Sequence, residues 1–204
     1  MALQSSFNQD LLREKMLSGL VDAYYQKNLR HYTFERVEDL NLQHRGVDVI
    51  FTHLHTKKQF KIDEKAQLDY INEDLPTFAF EICYHKKGIV KKGWFYDLDK
   101  ETEFYALITS IYADAPHTFT SCRITLVNRQ KLLHFLEDKG IGLPYLTNEL
   151  SLRHGKHGKH DLATLDPNKE GYLYISSSNK AEKPCNLILR LSFLMENGLA
   201  KRLA

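Results

Sequence analysis

Two runs of alternating residues, GVDVIF (46–51) and QFKIDEK (59–65), are separated only by the polar stretch THLHTKK. Alternation with period two is the pattern of half-buried strands, and a short polar connection makes an antiparallel hairpin the simplest pairing. Setting Phe51 opposite Phe60 and Val49 opposite Ile62 gathers the large apolar pairs on one face. The tip, His55-Thr56, is poor type I′ chemistry, so a longer or bulged loop is expected. On the other face Thr52 opposes Gln59, Ile50 opposes Lys61, Asp48 opposes Asp63, and Gly46 opposes Lys65. Directly opposed Cβ atoms lie about 4.5–5.5 Å apart, so two carboxylates meet where like charges destabilise a sheet. A retained proton, neutralisation by Lys61 or Lys65, or a shared divalent cation would offset that repulsion. The expected result is a compact site of two acids and one amine on a polar sheet face backed by Phe, Val and Ile. Glu64 alternates to the apolar face, where, at the strand end, it is expected to reach solvent; an exchange of roles with Asp63 is the alternative.

The rest of the chain sets this hairpin in an α/β context. Residues 8–28 carry Leu12, Met16, Leu20 and Ala23 at helical spacing, with Asn8 as candidate cap. Short β-type runs follow: TFERV, the hairpin, TFAFEICY, GWFYD, EFYALITSIY and CRITLV. Helical spacing returns over 128–139, between Asn128 as cap and Gly140 as stop. SLRHGKHGKHDLATLDPNKEG reads as a long polar loop. Two strands, GYLYIS and NLILR, and a helix over SFLMENGLAKRL close the chain. This order predicts a mixed central β-sheet flanked by helices, with no repeat at solenoid or propeller period.

The 204 residues, 43% hydrophobic and 11% aromatic, suffice for one substantial core, so one domain over 1–204 is expected. With 28 basic against 26 acidic residues the chain is unlike a histone-type or tail-type binder, and any nucleic-acid contact must come from local patches. Met1 to Asp10 has no apolar h-region, and no run approaches the ~18 apolar residues of a membrane span, so a soluble, cytoplasmic protein is expected. Cys83, Cys122 and Cys185 are widely spaced, outside any C-x-x-C pattern, and are expected as reduced, mostly buried thiols.

Asp48, followed by Asp63-Glu64-Lys65 on the next strand, resembles the core motif of the PD-(D/E)xK nuclease superfamily, whose fold is the restriction-endonuclease-like one. Val47 stands where the motif's proline would. Gln67 and Tyr70 are similar to the Gln-x-x-x-Tyr element of the RecB-type branch, with one spacer residue fewer. The family's layout of a leading helix, a hairpin carrying the site, further strands and a helix covers about residues 8–140; residues 141–204 form an extension without a counterpart. The resemblance implies hydrolysis of a phosphodiester bond in nucleic acid, DNA before RNA, with Mg²⁺ or Mn²⁺ as cofactor. Asp48 and Asp63, with the backbone carbonyl of Glu64, would hold the ion, which acts on water and on the phosphate charge. Lys65 would position the attacking water or stabilise the transition state, and Glu14 on the first helix is a candidate additional ligand. The alternative is a nucleic-acid-binding or assembly protein that keeps this fold without catalysis.

Other features have plainer readings. Gln67 and Tyr70 either contact substrate or water, or cap and pack the strand exit. HKKGIVKK reads as a solvated hairpin loop whose Lys86, Lys87, Lys91 and Lys92 are suited to phosphate contacts. Trp94, Phe95 and Tyr96 read as core strand residues. His154, His157 and His160 sit in a glycine-broken basic loop that lacks preorganised metal-ligand spacing, with zinc or nickel binding as the lesser option.

Overall fold

The computed structural model describes residues 3–86, 89–115, 118–153, 155–176 and 183–204; the side chains of residues 3–14 and of Lys86 lie outside that description. The hairpin has the register that its alternation requires: β2 (Val49–His53) and β3 (Gln59–Ala66) pair antiparallel with Val49 opposite Ile62, Ile50 opposite Lys61, Phe51 opposite Phe60 and Thr52 opposite Gln59. β1 (Tyr32–Arg36) adds on the other side of β2, setting Phe34 opposite Phe51. Between β1 and β2 a single helical turn, α2 (Leu40–His44), is capped by Asp39, whose side chain accepts from the N–H groups of Asn41 and Leu42 at 2.7 and 3.2 Å.

After β3 the chain leaves the sheet and returns as β6 (Phe104–Ala115), parallel to β3. Parallel neighbours need a crossover of a dozen or more residues, usually a helix. Here, after a 3₁₀ turn at Leu68–Tyr70, it carries two strands, β4 (Thr77–Lys86) and β5 (Ile89–Lys92), which join a second sheet. β7 (Thr118–Asn128) follows antiparallel to β6 and pairs on its far side with β11 (Ala200–Arg202), giving a mixed sheet ordered β1-β2-β3-β6-β7-β11. Residues 105–111 of β6 are buried without interruption, as expected of a central strand covered on both faces.

α1 (Leu3–Asn28) lies on one face of this sheet, burying Leu17, Val21 and Tyr25 against Val49, Phe51, Ile62, Ala106 and Ile124. The opposite face meets the second, antiparallel sheet, in which β8 (Gly158–His160), β9 (Gly171–Ile175) and β10 (Pro184–Arg190) continue from β4 in the order β5-β4-β10-β9-β8, through Tyr105, Leu107 and Val127 on one side and Phe78, Phe80, Leu173, Leu187 and Leu189 on the other. The fold is therefore α/β, with a mixed and an antiparallel sheet and few helices.

Several expectations differ from the outcome. GWFYD forms no strand; Phe95 plugs the core between the sheets, and Arg129 clamps the segment by donating to the Asp97 carbonyl at 2.7 Å and to the Tyr105 hydroxyl at 3.0 Å. HKKGIVKK is not simply a loop, because Lys91 and Lys92 lie on β5; Lys87 and the side chain of Lys86 lie outside the described residues. α3 (Arg129–Asp138) is the expected helix; α4 (Leu143–Leu152) is a helix that was not expected and ends just inside the stretch read as a long polar loop, within which β8 (Gly158–His160) also forms. β9 (Gly171–Ile175) and β10 (Pro184–Arg190) form as expected, β10 pairing with β4 and β9 with β10. The final helix is short: α5 (Leu191–Glu196) stops before Gly198, at φ 66°, and β11 (Ala200–Arg202) pairs with β7. Cys83 and Cys185 face each other across β4 and β10 as free thiols, and Cys122 is buried. Among the described residues no helix is long and apolar enough to cross a membrane.

The Val49–Ile62 pair ties the hairpin to α1, and Ile62 is 1% exposed. Ile62→Ala should cost about 2–5 kcal/mol in urea denaturation, whereas Gln59→Ala, at an exposed position of the same strand, should stay within about 0.5 kcal/mol.

Candidate functional site

Alternation along β3 separates its three consecutive charges. Glu64 points to the α1 face, but it does not reach solvent as expected. Its Oε1 accepts from the Tyr25 hydroxyl at 2.8 Å, and its Oε2 accepts from Arg36 Nη1 at 2.9 Å. Arg36 also holds Asp22 of α1, with Nε 2.9 Å from Oδ1. Burial raises the Glu64 carboxyl above its usual range, opposed by Arg36 and Tyr25. Glu64 thus ties α1, β1 and β3 together from below the sheet.

Asp63 and Lys65 point to the other face, beside Tyr105 and Leu107 of β6. This face is not an open polar surface: the second sheet covers much of it, and the Asp63 side chain is 3% exposed. Lys65 Nζ forms an ion pair with Asp63 Oδ1 and sits 5.4 Å from the Trp94 ring centroid, a cation–π contact that holds the ammonium at the edge of the inter-sheet core. Lys61, the other candidate neutraliser, is taken by Glu101 instead, which also binds Arg45.

The ladder ends at Val49–Ile62, so Asp48 is not strictly paired with Asp63. Its N–H donates to the Ile62 carbonyl at 2.8 Å, and its Oδ2 accepts the Glu64 N–H at 2.8 Å, taking the place of a main-chain acceptor. The half-buried Asp48 carboxylate still comes within hydrogen-bonding reach of Asp63. Burial lifts the Asp63 carboxyl to about 6 from its usual 3.8; Lys65 opposes the rise and Asp48 adds to it.

A cover over Asp63 comes from the turn before β2. Gly46 has φ 75°, and a Cβ there would lie 2.5 Å from Thr102 Oγ1 and 3.3 Å from Asp63 Oδ2, so only glycine lets the chain pass this closely. The buried Thr102 hydroxyl donates to the Gly46 carbonyl at 2.7 Å, and Lys100 Nζ donates to the His44 carbonyl at 2.6 Å. Sequence reasoning missed Thr102, Lys100 and the role of Trp94, because they arrive from segments with no motif spacing to the hairpin.

The remaining candidates scatter. Gln67 Nε2 donates to the Thr77 carbonyl at 2.9 Å, tying the end of β3 to the start of β4, and Tyr70 is 45% exposed on the 3₁₀ turn. Lys91 and Lys92 are exposed on the edge strand β5. The Glu14 side chain and His154 lie outside the described residues. His157 meets the Tyr174 ring edge-on at 5.8 Å, and a ring nitrogen of His160 lies 3.1 Å from the Lys156 carbonyl.

Among the described residues no group of three or more His, Cys, Asp and Glu side chains gathers as a ready-made metal cage. Magnesium needs no such cage: it commonly takes one or two carboxylates and fills the remaining positions with water and substrate phosphates. Asp48 and Asp63 supply two neighbouring carboxylates, and the repulsion that Asp48 exerts on Asp63 is the kind of charge excess a divalent cation relieves. The donor set fits such an ion. No family model, curated protein or solved structure was found to match the chain.

Because the folded-state pKa of Asp63 is raised, its contribution to stability is full below about pH 4 and is lost as pH rises through about 6. The rise corresponds to about 3 kcal/mol. In metal-free buffer, Asp63→Asn should remove most of this loss, so that urea midpoints of wild type and variant diverge between pH 4 and pH 8 in favour of the variant.

Proposed function

We propose that the chain is a metal-dependent nuclease of the PD-(D/E)xK type, hydrolysing phosphodiester bonds in nucleic acid, most naturally DNA. The observation that carries this reading is the convergence of Asp48, Asp63 and Lys65 at one end of the β2–β3 hairpin, with Asp48 on the Glu64 N–H beside Asp63 and Lys65 ion-paired to Asp63. Two acids from adjacent strands and a lysine two residues beyond the second acid are what this chemistry uses. The parallel return from β3 to β6 further supports a restriction-endonuclease-like core, here with a β-hairpin in its crossover.

In this reading Asp48, oriented by the Glu64 N–H, and Asp63, with the Glu64 carbonyl, are the groups that would hold a magnesium or manganese ion. The ion, when bound, supplies Lewis acidity toward a phosphoryl oxygen and the attacking water. With the Asp63 carboxylate engaged in that way, its hold on Lys65 in the ion pair would weaken. The Lys65 ammonium, steadied over Trp94, turns toward the charge that develops on the phosphate. Tyr25 and Arg36 act as positioning residues: by gripping the Glu64 side chain they fix the backbone N–H that aims Asp48. Lys91 and Lys92 are suited to phosphate contacts without sequence readout.

A second reading, a nucleic-acid-binding or assembly protein with this core and no catalysis, draws on one observation. Asp63 is closed off by Lys65 and by the Gly46 turn, leaving a substrate little direct access.

Incubation with single- and double-stranded DNA and RNA in magnesium or manganese separates the two. Catalysis predicts cleavage that chelation abolishes and that falls roughly 10²–10³-fold in Lys65→Ala, with larger losses in Asp63→Asn and Asp48→Asn, while far-ultraviolet circular dichroism is retained. Nucleic-acid binding without cleavage under every metal condition would support the second reading, and cleavage indifferent to all three substitutions would remove the nuclease assignment.

A further inference from the structure

The face of β3 opposite Asp63 borders a cavity that the nuclease reading does not use. It measures about 520 Å³ and opens between the α1–β1 connection, β3, β7 and β11. Its floor is apolar: Phe51 and Ile62 are buried, while Phe60, Phe104 and Leu126 remain half-exposed. Phe60 and Phe104 meet edge to face at 5.8 Å, so the aromatic surface is fixed by its own packing. The volume lies within the roughly 300–1,000 Å³ typical of small-molecule sites, which are mostly apolar with a few placed polar groups.

The charge around the cavity has one sign. Arg30, His31, Lys131 and Lys201 border it, and among the described residues no Asp or Glu does. Arg30, Lys131 and Lys201 are exposed and have no ion-pair partner among the described residues. A chain with nearly equal numbers of acids and bases would ordinarily mix both signs around an opening of this size. An apolar floor under an unneutralised cationic rim is complementary to a molecule with an apolar body and a single anionic head.

We propose that this cavity binds a small amphipathic anion, an acyl or aryl group carrying one carboxylate or phosphate. The body lies on Phe60, Phe104 and Leu126, and the head meets Lys131 and Lys201. The site is independent of Asp63 and Lys65, which project to the other side of the sheet, and of Asp48, held at the sheet edge by the Glu64 N–H, so either reading stands without the other.

Isothermal titration with decanoate, decyl phosphate and decanol tests the proposal on the full chain. One equivalent of decanoate or decyl phosphate should bind at least tenfold more tightly than decanol, and the difference between the two anions identifies the preferred head. Lys131→Gln combined with Lys201→Gln changes only exposed side chains; it should weaken the anions at least tenfold and leave decanol unchanged. Equal affinity for decanol and decanoate, anion binding unaffected by the double substitution, or no binding at all would each overturn the proposal. So would sedimentation showing a dimer whose formation excludes decanoate, because the cavity would then be covered by a second copy.

Discussion

Glu64 is held from two directions, and the site depends on that. Its carboxylate is gripped below the sheet by Tyr25 and Arg36, and its main-chain N–H holds Asp48 at the sheet edge. A buried carboxylate is costly unless paired and hydrogen-bonded, so the clamp tolerates little rotation of β3 about its own axis. Once Glu64 is fixed toward α1, period-two alternation leaves Asp63 and Lys65 no choice but the opposite face. A side chain that takes no part in the proposed chemistry therefore decides where the chemistry can occur.

The hairpin was legible because its information is local. Two apolar pairs fixed the register from Val49–Ile62 to Thr52–Gln59, and a slip of one residue would have turned each of those side chains outward. The alternation also placed Glu64 on the correct face, but its partners lie 28 and 39 residues away and no spacing rule points to them. The same distance problem hid the second sheet. β4 pairs with β10, from the other end of the chain, and a strand pattern states that a segment wants a neighbour without saying which one. Burial of Asp63 followed from that omission, since the face read as polar and open is the face the second sheet covers.

The local errors have local causes. α4 was passed over because Gly140, Gly142 and Pro144 look like breakers, yet proline in the first turn of a helix sacrifices only an N–H that has no partner there. Trp94, Phe95 and Tyr96 have strand-like composition, but they are spent filling the space between sheets, and aromatic content alone does not distinguish a strand from a plug. At the C-terminus, helical composition continued past Gly198, whose positive φ ended the helix and released Ala200–Arg202 to pair with β7.

Topology explains why the charges collect where they do. Since β2 runs antiparallel to β3, the start of β2 lies beside the end of β3, so Asp48 and Asp63 share one end of the sheet. The chain leaves the sheet at that same end, because β3 must cross over to its parallel neighbour β6. In open sheets the space beside such a departure is where backbones diverge and side chains from several segments can converge. The departing strand end is tied to β4 by Gln67, and the returning chain brings Trp94 over Lys65 and Thr102 under Gly46. A crossover made of strands rather than a helix also seats an apolar sheet directly on Tyr105 and Leu107, next to the carboxylates. The desolvation that lifts Asp63 to about 6 is thus a consequence of how the chain returns from β3 to β6, and the hairpin alone, with its polar face in water, would not produce it.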